Sequence, residues 1–154
     1  LLHLLNLNTN FGPKKFRWDV FTFPSTLQVS VFLDLLMEPL GDGGEAIESI
    51  KLGLHEALIN AVRLGNSGDP SKSLRGRRIL TPNWFVWQIQ DEGEGIPLRD
   101  RCDSLPSQLD SNHGRGLFII HRCFDDVRWS RRCNRLQLAV RRSEGINGED
   151  SLHL

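Results

Sequence analysis

Three short clusters in this chain combine residue types able to do chemistry. In the first, Glu56 and Asn60 stand four positions apart, one helical turn, so their side chains share a face. An amide oxygen at Asn60 suits Mg²⁺, which takes few protein ligands and fills its shell with water and phosphate oxygens. A carboxylate one turn away could take a proton from an attacking hydroxyl. Taken alone, such a pair more often marks a solvated helix face. In the second cluster, Asp91 follows Phe85, Trp87 and Ile89 at alternating positions, so strand parity aims a carboxylate at the apolar face. Burying that charge costs several kcal/mol, about the magnitude that demands a donor. The exocyclic amino group of adenine is one such donor, and Gly93 and Gly95 would let the backbone pass close to a base. DEGEG alone also reads as a turn. In the third, Gly114-Arg115-Gly116 opens an apolar helical pattern after a long loop. The N–H groups and positive dipole end of such a helix suit phosphate oxygens, although a lone G-x-G also fits a plain helix start.

These clusters need elements to position them. Phe16, Trp18 and Val20 alternate with charged residues and predict a first strand. Ser25 is then the expected N-cap of a helix carrying Leu27, Val31, Leu35 and Leu36. From Glu45 to about Leu64, Ile47, Ile50, Leu54, Ala57, Leu58 and Ala61 form one stripe at the 3.6 period, closed by GNSGDP. Arg78-Ile79-Leu80 leads through Thr81-Pro82-Asn83 into WFVWQIQD as a hairpin. A loop from Pro97 to Asn112 precedes a third helix, GRGLFIIHRCF, and two last strands carry Val127 and Trp129, then Leu136, Leu138 and Val140. Strands joined mainly as hairpins imply a mixed, mostly antiparallel sheet with helices on one face, a two-layer α/β sandwich.

The 154 residues suit one domain, expected over 16–142, with a flexible leader 1–15 and a disordered polar tail 143–154. The single methionine is Met37, so the chain is expected to open at a trimmed or misassigned end. Lysine plus arginine equals aspartate plus glutamate, at 19 each, which gives no general reason to expect nucleic acid or an acidic membrane as partner. The arginines of LRGRR and RWSRRCNRLQLAVRR read as solvated strand edges. No apolar run approaches the roughly 20 residues that span a bilayer. Three widely spaced cysteines, Cys102, Cys123 and Cys133, without a CxxC, read as reduced thiols of a cytoplasmic protein rather than a disulfide or zinc site.

In their order along the chain, LHEALINAVRLGN, DEGEGIP and HGRGLFIIHRCFDDV resemble the N, G1 and G2 boxes of the GHKL (histidine kinase-like) ATPases, and most of all those of the anti-sigma-factor serine kinases. The resemblance spans Phe16 to Arg142 and implies a Bergerat-type ATP-binding fold with 97–112 as the ATP lid, mobile until nucleotide binds. It implies Glu56 as general base toward a protein serine, Asn60 as the Mg²⁺ ligand, Asp91 with Gly93 and Gly95 at adenine, and Gly114, Arg115 and Gly116 at the phosphates. It implies ATP and Mg²⁺ as cofactors, a sigma factor or an anti-anti-sigma (STAS-like) protein as partner, and a homodimer. The sequence departs from its relatives at Leu64, where many carry histidine, and in NRLQLAV, which lacks a threonine near the adenine. A rival reading keeps the nucleotide but not the chemistry, as a module that sequesters a regulator without transferring phosphate.

Overall fold

The computed structural model describes residues 16–41, 43–95 and 112–142. The leader 1–15, the tail 143–154, Cys102 and the expected lid up to residue 111 lie outside them. Strand β1 (Arg17–Pro24) is followed by helix α1 (Ser30–Met37), a 3₁₀ turn (Glu38–Leu40) and helix α2 (Glu45–Asn60), which runs into a π-helical turn (Ala61–Gly65). Strands β2 (Ser73–Leu80) and β3 (Trp84–Gln90) form a hairpin, then come helix α3 (Asn112–Cys123) and strands β4 (Asp126–Trp129) and β5 (Arg135–Arg141).

The sheet order is β1-β2-β3-β5-β4, and every adjacent pair is antiparallel. The alternation in WFVWQIQ has its expected effect: Phe85, Trp87 and Ile89 are buried on the face that α1, α2 and α3 cover. They join Leu74 and Leu80 of β2, Leu136, Leu138 and Val140 of β5, and the stripe Ile47, Ile50, Leu54, Ala57, Leu58 and Ala61 of α2 in one core. The opposite face carries Trp18, Ile79, Val86 and Ala139 in register across four strands. The fold is the two-layer α/β sandwich expected, with the sheet fully antiparallel.

The first helix departs from expectation. β1 continues to Pro24, α1 begins only at Ser30, and its N-cap position is Val29, without a side-chain cap. Ser25 is instead buried and accepts a hydrogen bond from Asn66. Leu27, Val31 and Leu35 are exposed, at 50 %, 63 % and 42 %, while Leu33, Leu36 and Met37 face the core. The segment is apolar on two sides, so periodicity alone could not choose the buried one. Arg78 also departs. It is 2 % exposed because it shares the inward parity of Leu74 and Leu80 on β2, a strand with neighbours on both sides. Its charge is met by Asp19 at 2.6 Å and Glu38 at 3.0 Å, and its guanidinium lies over the Phe21 ring.

Candidate functional site

The site gathers around the C-terminal half of α2. Glu56 and Asn60 leave that helix on one face, as their spacing requires, and this face is turned toward α3 rather than solvent. Both residues are half-buried. A Cβ on Gly116 would stand 3.1 Å from Asn60 Nδ2 and 3.2 Å from Glu56 Oε2, so the missing side chain is what lets α3 approach. The helix begins at Asn112, so Gly114 lies among the first residues, whose backbone N–H groups lack intrahelical acceptors, and Gly116 follows one turn in. Arg115 is on the exposed side of the helix. His55 Nδ1 lies 4.0 Å from Glu56 Oε1.

Asn60 Nδ2 is buried with no hydrogen-bond partner. An unsatisfied buried amide is rare in a folded domain and calls for an explanation. Its oxygen is the hard donor that Mg²⁺ prefers, so the chemistry of this side chain fits a metal ligand.

At the end of the same helix stands Asp91. It is 8 % exposed, as strand parity predicted. Its backbone N–H donates to the Asn134 carbonyl at 2.9 Å, and its Oδ1 accepts from Gly93 N at 2.8 Å. Burial pushes the carboxyl above its ordinary value, and the Gly93 N–H opposes that rise. Buried carboxylates held at such cost gather at functional sites, which makes Asp91 a candidate ligand-binding group. Gly95, at φ +88°, lies against the Arg132 carbonyl in the β4–β5 turn, so the loop after Asp91 is held between that turn and α2.

One contact was not foreseen. A Cβ on Gly65 would overlap the Asp91 carboxylate, and one on Gly93 would overlap the Gly65 carbonyl. The π-helical turn ending α2 thus meets the segment after β3 backbone to backbone. In the sequence Gly65 and Asn66 read only as helix-closing residues; the sole hint was a glycine where the helical stripe runs out. Such π turns are frequent at functional sites.

The described residues hold no group of three or more metal-binding side chains, and Cys123 and Cys133 are free thiols. No helix among them is long and apolar enough to cross a membrane.

The three clusters, far apart in sequence, therefore surround one end of α2, with a buried carboxylate at one side and a helix N-terminus at the other. The model of the histidine kinase-like ATPase domain matches residues 29–140, and the chain belongs to that family. The family implies ATP as its nucleotide. No curated protein matches the chain.

Proposed function

We propose that this domain is an ATP-dependent protein kinase of the anti-sigma-factor type, which phosphorylates a serine on an anti-anti-sigma (STAS-like) protein and thereby switches between that protein and a sigma factor. The observation that carries the reading is the approach of Gly116 to Asn60 and Glu56, at 3.1 and 3.2 Å from its virtual Cβ. A phosphate held by the first turns of α3 would stand beside both an oxygen donor and a carboxylate. Asp91 would accept from the adenine amino group. Asn60 would hold Mg²⁺, which supplies positive charge to the triphosphate. Glu56 would take the proton of the serine hydroxyl as its oxygen bonds to the γ-phosphorus and the bond to the β-phosphate oxygen breaks, releasing ADP. Glu56 suits that role because it is half-buried yet keeps contact with solvent, so the proton can leave after each cycle.

Transfer of labelled γ-phosphate to a STAS-like protein tests this. Glu56→Gln keeps size and helix propensity, so it should leave ATP affinity nearly unchanged and slow transfer about 10²–10⁴-fold. Transfer at the wild-type rate by Glu56→Gln contradicts the general-base role. ATP binding by the wild type without transfer supports the sequestering module instead.

A further inference from the structure

Asn66 follows the glycine that touches Asp91, and its side chain is fully buried at 0 % exposure. Nδ2 donates to Ser25 Oγ at 3.1 Å and to the Ser73 carbonyl at 3.0 Å. Oδ1 accepts from Glu92 N at 2.8 Å. Its own backbone N–H donates to the Ala61 carbonyl at 2.8 Å, closing the π-helical turn. Glu92 is fixed from a second direction, since its Oε2 accepts from Ser73 N at 2.5 Å and Ser73 Oγ at 3.2 Å. One amide therefore ties the end of α2 to the end of β1, the start of β2 and the peptide that follows Asp91.

The consequence lies in the backbone of Asp91. Its N–H is held by the Asn134 carbonyl, and the next N–H, that of Glu92, is held by Asn66. With both flanking peptides fixed, the direction in which the carboxylate leaves the chain is fixed as well. Recognition of a planar base by one carboxylate needs placement within about 0.5 Å, which loops provide only when surrounding bonds lock them.

We infer that Asn66 is a positioning residue for nucleobase recognition: through its hydrogen bond to Glu92 N it fixes the Asp91 carboxylate against α2 and so sets selectivity for adenine. The inference rests on the reading of Asp91 as the adenine acceptor. The two ends of the Asn66 amide divide the work. Nδ2 joins β1 to β2 and serves stability, while Oδ1 serves the base. That division separates a positioning role from a purely structural one.

The experiment is the ratio of Mg·ATP to Mg·GTP affinity by calorimetry, which partial unfolding does not alter because both ligands titrate the same folded fraction. Wild type should favour ATP by about tenfold or more, as expected for a charge-assisted bond to the base, and Asp91→Ala should bring the ratio near one. Asn66→Ala should lower the ratio at least about fivefold. Asn66→Asp keeps the size and the acceptor for Glu92 N but loses both Nδ2 donors; its ratio should stay within about threefold of wild type while its unfolding midpoint falls. Ser25→Ala should likewise leave the ratio unchanged. If wild type shows no preference for ATP, the adenine reading falls and the role of Asn66 falls with it. If wild type and Asp91→Ala behave as stated but Asn66→Ala keeps the full ratio, the positioning role alone is overturned. Should Asn66→Ala fail to fold, Asn66→Asp decides: a retained ratio supports the inference and a collapsed one overturns it.

Discussion

Arg78 and Trp87 stand directly opposite each other on β2 and β3, and they donate to consecutive carbonyls at the end of α1. The Arg78 guanidinium bonds the Leu35 carbonyl, and Trp87 Nε1 bonds the Leu36 carbonyl at 2.9 Å. The last turn of a helix leaves its carbonyls without intrahelical donors, and α1 has no basic residue in its last turn. Two side chains from the sheet supply the missing donors and dock the helix at a fixed height. Trp87→Phe keeps an aromatic ring but strands a buried carbonyl, at a cost of about 1–3 kcal/mol. Arg78→Ala removes a buried ion-pair partner as well, and should cost about 3 kcal/mol, the low end for such pairs because Asp19 retains Arg17 at 2.9 Å. Urea unfolding checks the order. A larger loss in Trp87→Phe than in Arg78→Ala contradicts it.

Asp91 gives the apo protein a defined pH response. Burial raises its pKa above 3.8, with the Gly93 N–H opposing, so as pH falls the folded state takes up this proton before the unfolded state does. The stability tied to that proton is fully present below 3.8 and is lost as pH rises through the folded-state pKa. Asp91→Asn still offers an oxygen to Gly93 N and carries no charge. It should raise the apo unfolding temperature at pH 7 by about 2–4 °C, and the gap from wild type should narrow on acidification. A variant less stable than wild type at pH 7 contradicts the assignment of a burial cost to this group.

Gly116 separates helix stability from ligand binding. Replacing an interior helical glycine by alanine ordinarily gains about 0.5–1 kcal/mol. Here the new Cβ would press on Asn60 and Glu56, at 3.1 and 3.2 Å. Gly116→Ala should therefore leave the unfolding midpoint near that of wild type and weaken Mg·ATP about tenfold, because Asn60 must give way. Unchanged ATP affinity in a folded Gly116→Ala removes the α3 N-terminus from the site.

What the sequence made legible was whatever rests on a strong local period. The α2 stripe from Ile47 to Ala61 and the Phe85-Trp87-Ile89 face are buried as read, and the latter carried the correct burial of Asp91. Ser25 is not the helix cap its type suggests because its partner, Asn66, lies 41 positions away, beyond the reach of local capping chemistry. Arg78 is not legible as buried, because a guanidinium in LRGRR looks solvated until Asp19 is known to sit opposite it in register. Gly65 and Asn66 read as turn residues, since only the meeting of two distant segments gives them another role.

The nucleotide site itself is tested most directly by calorimetric titration of wild type and Asp91→Ala with Mg·ATP. Wild type should bind one nucleotide per chain. Asp91→Ala should stay folded and bind at least about tenfold more weakly, the loss expected when a charge-assisted hydrogen bond of ~1.5–3 kcal/mol is removed. Equal affinity in the two proteins, or no binding by wild type, would contradict an adenine site at Asp91.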